Sequence, residues 1–272
     1  MQTFIAFDIE STGLVPFYDR LIEIAAIRFQ FDPHGKGFKE TGVFQQLINP
    51  RMPIPEGASK VHRIYDTDVL DKPEAKEVLP DFLQFIGKDS ILIAHNAQFD
   101  TEFIAAELFM AGMDWPENPI WDTLSMSRAL IPNIMNHKLE TLVHHFALPV
   151  RDFHRAEDDS RYLIALFEKF FSLAGGMESL QKHAAVTYAR SARALLDVRL
   201  NLSQAPINQA IRAKKNLSFD YEESGQKRSI KFRPGFLFKS DKFSWLSGTD
   251  LDQMTIKCYR LDRISRPQCE NV

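Results

Sequence analysis

Four carboxylates and one histidine, spread over three distant segments, have the residue types and spacing that metal-assisted hydrolysis needs. Asp8 and Glu10 lie in the segment FDIESTG, Asp100 ends the segment HNAQFD, and Asp159 follows His154 by five residues. Residues two apart in a strand face the same side, so Asp8 and Glu10 project together. Such like-charged neighbours repel each other unless a cation neutralises them, which makes them suitable ligands for Mg²⁺ or Mn²⁺. The five side chains together predict a site that holds two divalent metals and activates a water to cleave a phosphodiester.

Each segment also has an ordinary structural interpretation when it is taken alone. Asp100 lies where a helix is predicted to begin, so its carboxylate could simply cap that helix. His154 could be an ordinary surface or core histidine. Glu157 and Asp158 are neighbours of Asp159, and the spacing within this one sequence leaves open which of the three is a ligand.

Hydrophobic periodicity and turn residues predict the elements that must position these side chains. Strands are predicted over residues 3–9, 20–29, 41–48, 90–95 and 119–123, and helices over 59–69, 74–86, 100–113, 139–146 and 156–173. The short connections between the first three strands favour an antiparallel meander. Strand–helix units follow, so the predicted fold class is α/β, with a mixed sheet and flanking helices.

The pattern changes after Ala174-Gly175-Gly176, and residues 177–202 are predicted to be helical. Short alternating strands follow over residues 217–221, 229–233, 235–238, 243–246 and 255–259. This texture predicts a small, mostly antiparallel β domain. The predicted organisation is a first domain over residues 1–173, a helical linker over 174–206 and the β domain over 207–272.

The composition bounds the class of protein. With 44% hydrophobic and 25% charged residues, the chain is an ordinary globular sequence. No apolar run is long enough to cross a bilayer, and the first residues lead straight into a strand, so we expect a cytoplasmic protein without a signal peptide or a membrane partner. Cys258 and Cys269 offer neither a disulfide framework nor zinc-ligand spacing.

The net charge of −3 hides an asymmetry along the chain. Residues 1–175 carry 16 Lys and Arg against 26 Asp and Glu, a net charge of −10, whereas residues 176–272 carry 17 against 10, a net charge of +7. The acidic part suits metal capture and the basic part suits a polyanion, with chance variation of surface charge as the alternative, and the charge alone does not decide between them.

Taken jointly, the three segments resemble the DEDDh 3′–5′ exonucleases, the family of the proofreading subunit of the bacterial replicative polymerase. The resemblance runs through roughly residues 1–172 and rests on FDIESTG, LIEIA at 21–25, Asn49-Pro50, VHRI at 61–64, HNAQFD, Asp122-Thr123-Leu124 and HRA at 154–156 with Asp159. The family's spacing of five between the histidine and the last aspartate selects Asp159. Arg63 is a departure, because the family usually has glycine after His62.

The resemblance implies an RNase H-like core and a two-metal mechanism. Asp8, Glu10, Asp100 and Asp159 would hold two Mg²⁺ or Mn²⁺ ions, and His154 would act as the general base. The product would be a nucleoside 5′-monophosphate.

The resemblance further implies which residues meet the substrate. The backbone of Thr12 and the side chain of Leu14 would wedge against the terminal base, and His62, Asn96 and Phe99 would line the 3′-nucleotide pocket. For Leu14 and Phe99 core packing is an equally good interpretation, and Asp122 is expected to cap the helix that follows it.

Residues 207–266 resemble a WYL-like domain, a small SH3-like β barrel. The resembling positions are Ile207, Ala210, Ile211, Tyr221, Arg228, Pro234, Leu237, Trp245, Leu246, Gly248 and the run YRLDRI at 259–264. The name-giving triplet is SWL at 244–246, which departs from the family.

Basic residues interleaved with aromatics in this domain predict phosphate contacts and base stacking. The candidates are Arg228, Lys231, Arg233, Arg260 and Arg263, with Trp245 and Tyr259 as stacking platforms. Tyr221, Phe232 and Phe236 could instead fill a small barrel, and Asp262 could pair with a neighbouring arginine. A small nucleotide-like effector and a purely structural or oligomeric role are the alternatives to nucleic-acid binding.

The leading hypothesis from the sequence is a metal-dependent 3′–5′ exonuclease that acts on single-stranded DNA or DNA 3′ ends, helped by the C-terminal domain. An exoribonuclease is the enzyme alternative, because the same site serves RNA. A regulatory binding protein with a vestigial nuclease core is the non-enzyme alternative. The intact set of five catalytic residues speaks against the latter.

Overall fold

A computed structural model of the 272-residue chain describes residues 2–31, 37–149, 153–188, 192–240 and 242–270. The chain forms two compact units, Met1–Ala189 and Arg190–Val272. Across the described ranges, none of the helices combines the length and apolar character needed to span a membrane.

The first unit is built on a six-stranded mixed sheet. Its strands are β1 (Thr3–Ser11), β2 (Leu21–Phe31), β3 (Phe38–Leu47), β4 (Ile91–Ala94), β5 (Pro119–Asp122) and β6 (Ala185–Tyr188), in the order β3-β2-β1-β4-β5-β6. β1 to β3 pair antiparallel, which confirms the predicted meander, and β1 and β5 both pair parallel with β4. The ends of β1 and β4 therefore lie at the same edge of the sheet.

Eight helices are described in this unit. They are α1 (Glu56–His62), α2 (Asp66–Val69), α3 (Ala75–Ile86), α4 (Gln98–Met110), α5 (Thr123–Leu130), α6 (Leu139–His145), α7 (Ala156–Ala174) and α8 (Met177–His183). The alternation of β1 assigns its residues to two cores. Ile5, Phe7 and Ile9 pack with α3 and α4, whereas Phe4 and Ala6 pack with α7. Because side chains alternate along a strand, Asp8 and Glu10 follow Phe4 and Ala6 on the face that α7 covers.

The expectation of an all-helical segment over residues 177–202 is wrong at β6. Residues 185–188 pair antiparallel with β5, from Ala185 opposite Asp122 to Tyr188 opposite Pro119. The sequence AVTY is rich in β-branched and aromatic residues, which favour strands. Pairing with β6 also provides hydrogen-bond partners for the backbone groups at the edge of β5. The segment 174–206 is consequently not a simple helical linker, because its first part completes the sheet of the first unit.

The second unit consists of α9 (Ala192–Leu196), a 3₁₀ turn (Leu202–Gln204), α10 (Ala205–Ala213) and a five-stranded antiparallel sheet. The strands are β7 (Leu217–Glu223), β8 (Gln226–Ser240), β9 (Phe243–Asp250), β10 (Thr255–Arg260) and β11 (Ile264–Cys269), in the order β10-β9-β8-β7-β11. In the described residues the two end strands, β10 and β11, do not pair with each other, so the predicted barrel closure is not confirmed.

Two strands predicted at 229–233 and 235–238 are in fact one. β8 runs through both and carries an irregularity between Pro234 and Phe236. Proline interrupts a ladder because it lacks an N–H, and the strand continues beyond it. Gly248 lies opposite, where a Cβ would meet the Arg233 carbonyl oxygen at 2.2 Å. The helix α10 and the strand β11 were not predicted.

Candidate active site

The four predicted carboxylates converge on one place in the first unit. Asp8 and Glu10 end β1 on the side of α7, and Asp159 lies in the first turn of α7. Asp100 lies in the first turn of α4, which follows β4, and the backbone N–H of Ile9 donates a hydrogen bond to its carboxylate. This hydrogen bond connects Asp100 to Ile9, the strand residue between Asp8 and Glu10.

His154 joins this group from the residues that precede α7. Ligand atoms of Glu10, His154 and Asp159 all lie within 4.8 Å of one another. His154 is exposed, and its backbone is left-handed, with a φ of 61°. Its N–H donates to Asp159 Oδ2 at 3.1 Å, so the histidine and the aspartate five residues later are directly linked.

The carboxyl groups strongly perturb one another. Burial raises the pKa of Asp8 well above its usual value, and the charges of Asp100 and Asp159 raise it further. Burial raises the pKa of Glu10 to about 8, with repulsion from Asp159 added to it. Burial likewise raises the pKa of Asp100 to about 8 and that of Asp159 to about 7. Without a counter-charge, burial and mutual repulsion thus favour the protonated form of these carboxyl groups.

The donor set fits a divalent metal. Asp159 Oδ1 is buried and has no protein hydrogen-bond partner, and an unpaired buried carboxylate oxygen is costly unless a cation meets it. Carboxylate oxygens are the ligands that Mg²⁺ and Mn²⁺ prefer. A bound cation would also lower the pKa values of these carboxyl groups, because an opposite charge favours the ionised carboxylate.

Glu23 in β2 is a site residue to which sequence analysis assigned no role. It is 0% exposed and lies opposite Glu10 in the β1–β2 register. Its carboxylate accepts hydrogen bonds from Arg155 and from the N–H of Ala156, the residues that follow His154. The detectable signal was a single acid inside the apolar run LIEIA, since a buried acid requires a partner.

The loop between β1 and β2 presents Leu14 to solvent. Leu14 is 77% exposed, so the core-packing interpretation is wrong for this residue. The Asp19 carboxylate accepts the N–H of Val15 at 2.8 Å and holds the turn. A Cβ at Gly13 would lie 2.5 Å from that carboxylate, so only glycine fits. Thr12 is buried, its N–H donates to the Arg20 carbonyl at 2.9 Å, and its hydroxyl accepts the Arg20 N–H at 3.0 Å.

His62, at the end of α1, presents a free donor towards the site. It is 2% exposed, its Nδ1 accepts the N–H of Ile64 at 3.1 Å, and its Nε2 has no protein partner. Burial lowers its pKa, and repulsion from His154 and Arg155 lowers it further. The lowered pKa favours the neutral imidazole, and because Nδ1 accepts a hydrogen bond, the proton of that form lies on Nε2.

Asp122 confirms its expected cap and has a second role. Its Oδ1 accepts the N–H of Leu124 at 3.1 Å, which caps α5, and also the N–H of Asn96 at 2.8 Å. Asn96 is left-handed, with a φ of 62°, and the turn that it forms leads into α4. Phe99 in α4 is half-buried, and its ring contacts Phe103 with 4.9 Å between centroids. Asp122 thus positions the turn that precedes Asp100.

In the second unit the structure contradicts one predicted stacking residue. Tyr259 is 3% exposed, and its hydroxyl donates to Asp250 at 2.7 Å, so the ring belongs to the core and cannot stack on a base. Arg260 lies over the Phe243 ring, 3.3 Å from its centroid, and pairs with Asp262, as the structural alternative had it.

The remaining predicted contacts of this unit differ in accessibility. Arg228, Lys231 and Arg233 are exposed on β8, although Arg228 lies 3.5 Å from Glu223. Arg263 is half-buried. Trp245 stacks on Phe238 with 6.3 Å between the ring centroids.

The mixed sheet thus brings half-buried carboxylates at the end of β1 together with buried ones in the first turns of α4 and α7, a donor set that suits metal-assisted hydrolysis. The chain belongs to the exonuclease family, whose family model matches residues 5–167, and the model of the WYL domain matches residues 204–269.

Curated relatives and solved structures agree with this membership. The DNA polymerase III subunit epsilon of Treponema pallidum is 40% identical over 166 residues, which cover 60% of this chain and 74% of that protein. The PolC-type DNA polymerase III of Caldanaerobacter subterraneus is 33% identical over 204 residues. The matched region covers 75% of this chain but only 14% of that polymerase. Exonuclease X in complex with 5′-overhanging duplex DNA has a TM-score of 0.52 and 25% identity, over 67% of this chain and 99% of its own. Exonuclease I of E. coli in complex with a dA16 oligonucleotide shares the fold, with a TM-score of 0.55 and 18% identity over 92% of this chain and 55% of its own.

Proposed function

We propose that the protein is a divalent-metal-dependent 3′–5′ exonuclease that releases nucleoside 5′-monophosphates from single-stranded DNA or from DNA 3′ ends. The observation that carries the proposal is the convergence of Asp8, Glu10, Asp100 and Asp159 on one site beside His154. Family membership and the DNA-related names of the relatives support the choice of substrate.

The four carboxylates would hold Mg²⁺ or Mn²⁺, which when bound supplies positive charge to the scissile phosphate and lowers the pKa of water. His154 accepts the proton of the attacking water, a role that suits an exposed imidazole within reach of Glu10 and Asp159. The His62 Nε2–H is a neutral donor for an oxygen of the terminal nucleotide.

The surroundings of the site suit a single strand with its 3′ end inserted. Leu14 projects from a rigid loop, as an apolar wedge between the terminal base and its neighbour requires. A cleft beside the site is lined by the basic residues Arg63, Lys72 and Arg155, with Asp68 and Asp71 among its other walls. Because Lys72 is paired with Asp71 and Arg155 with Glu23, the net positive charge of this cleft is small, and we propose that it adds a modest attraction for the backbone phosphates of the strand that enters.

The C-terminal unit would add affinity for nucleic acid. The exposed Lys231 and Arg233 alternate with buried residues along β8, so both project from the solvent face of the sheet. Half-buried Arg263 and Trp245 are further candidate contacts, whereas Arg260 is engaged by Phe243 and Asp262. We propose that residues 207–272 form the WYL-like domain that carries this role and that residues 1–173 contain the nuclease.

The decisive experiment uses DNA and RNA oligonucleotides labelled at the 5′ or the 3′ end, single- and double-stranded, with Mg²⁺, Mn²⁺ or EDTA. We expect stepwise shortening of 5′-labelled DNA and early release of a 3′ label, only with metal. The variants Asp8→Asn and Asp159→Asn should lose at least about a thousandfold in kcat while remaining folded. Normal turnover by either variant, or shortening from the 5′ end, would refute the proposal, and a preference for RNA would replace DNA as the substrate.

A further inference from the structure

Glu23 is the one buried acid of β2, and its carboxylate accepts four hydrogen bonds, although its charge also repels those of Asp8, Glu10 and Asp159. Gln45 Nε2 of β3 donates to it at 2.8 Å, Arg155 donates from Nη2 at 3.0 Å and from Nε at 3.3 Å, and the N–H of Ala156 donates at 3.1 Å. Three of these four bonds come from the two residues that follow His154. A fully buried carboxylate with this set of partners is held firmly in place.

The backbone around His154 is thereby tied at two points. The N–H of His154 donates to Asp159 Oδ2 at 3.1 Å, and the N–H of Ala156 donates to Glu23 Oε2 at 3.1 Å. His154 itself has a left-handed backbone, a conformation that is unfavourable for a residue with a Cβ and persists only where its surroundings impose it. Asp159 alone anchors this turn to its own helix, whereas Glu23 anchors it to the sheet that carries Asp8 and Glu10.

We propose that Glu23 is a positioning residue that sets the imidazole of His154 relative to the carboxylates of β1. The inference rests on the proposed function, in which His154 accepts a proton from water. Glu23 lies opposite Glu10 in the β1–β2 register. The pairing of these two strands therefore fixes the position of Glu23, which holds the His154 turn, relative to Glu10. Arg155 transmits the position of β2 to the turn through its ion pair, which also neutralises the buried charge.

The test compares Glu23→Gln with Glu40→Gln. The second variant breaks the pair of Arg161 Nη1 with Glu40 at 2.6 Å, which also joins α7 to the sheet but lies away from residues 154–156. We expect Glu23→Gln to lower kcat at least about tenfold with KM changed less than about twofold, because binding groups are untouched. Glu40→Gln should keep both constants within about twofold of the wild-type values.

A structural readout accompanies the kinetics. Trypsin cleaves after arginine, so in metal-free protein the peptide bond after Arg155 should become susceptible in Glu23→Gln, while wild type and Glu40→Gln resist at that site. Mass spectrometry identifies the cleavage site. If Glu23→Gln does not fold, Arg155→Lys replaces it. Lysine keeps the positive charge in the cleft and a trypsin site, but it cannot form the two-nitrogen bond that Arg155 makes with Glu23, which retains its bonds to Gln45 and Ala156. The same loss of kcat and the same KM are expected.

The outcomes separate the two proposals. A wild-type protein without metal-dependent exonuclease activity overturns the proposed function, and this inference falls with it. An active wild type together with a folded Glu23→Gln of normal kcat overturns only the positioning role. An equal loss of kcat in Glu40→Gln overturns it as well, because general loosening of α7 would then explain the effect.

Discussion

Removing one charge from the acidic cluster should stabilise the metal-free protein, and Asp100→Asn is the cleanest change. Asp100 is 3% exposed, so solvent does not screen its charge. Burial raises its pKa from 3.8 to about 8, although hydrogen bonds from its own N–H and that of Ile9 lower it. Asparagine has nearly the same shape, keeps an acceptor for these two N–H groups and carries no charge.

The magnitude follows from proton linkage. A pKa that is raised on folding means that the native state binds the proton more tightly, so stability is fully present below pH 3.8 and falls as the pH rises towards about 8. Since one pKa unit is about 1.4 kcal/mol, the penalty for metal-free wild type at pH 7 has an upper bound of about 4 kcal/mol. The neighbouring acids share protons with Asp100, so we expect about half of this, roughly 2 kcal/mol.

Thermal unfolding in EDTA measures the effect. For a unit of this size, about 2 kcal/mol raises the Tm of Asp100→Asn above wild type by roughly 4–8 °C at pH 7, and the gap should shrink towards pH 4. Mn²⁺ should raise the Tm of wild type much more than that of the variant. Asp81→Asn, an exposed change on α3, is the control and should leave the Tm unaltered at every pH. A variant less stable than wild type, or a gap that ignores pH, would refute the reasoning.

Three further predictions concern substrate. Leu14→Ala should leave the Tm unchanged because the side chain is exposed. It should slow the digestion of paired 3′ ends several-fold more than the digestion of single strands. Equal slowing of both substrates would contradict the proposed role of Leu14 as a wedge. Arg63→Gly removes a side chain from a left-handed residue with a φ of 58°. It should therefore raise the free energy of unfolding by about 1 kcal/mol while reducing the salt dependence of binding by about one charge, and unchanged salt dependence would exclude Arg63 from phosphate contact. Replacing Lys231 and Arg233 together by Gln should make the slope of the logarithm of the DNA-binding constant against the logarithm of the salt concentration shallower by about 1 to 2, with unchanged kcat. Lys182→Gln on α8 is the control. Equal slopes for the two variants would contradict DNA binding by β8.

Much of the first unit was predictable because its signals are local. The run of apolar residues in β1, the short turns of the meander and the amphipathic pattern of α7 each lie within one segment. By contrast, β6 was missed because its four residues form a strand only through the edge of β5. The single strand β8 was divided in prediction at Pro234, because a proline breaks the local pattern while the neighbouring strands carry the ladder past it.

Orientation of side chains in the second unit was less predictable. Tyr259 and Arg260 are adjacent in β10, and alternation alone says only that they face opposite sides. Which side becomes the core depends on the aromatic rings contributed by Phe219, Tyr221 and Phe232 from other strands. The predicted stacking role of Tyr259 failed for this reason.

By itself the sequence supplied the residue types of the proposed chemistry. Four carboxylates and one histidine, Asp8, Glu10, Asp100, Asp159 and His154, are groups that suit metal ligands and a general base. Only the tertiary structure decided that these groups meet at one site and that Glu23 holds the turn of His154. The physical reason is distance along the chain: Glu23 and Arg155 are separated by 132 residues, and a contact of that kind exists only once α7 has packed on the sheet.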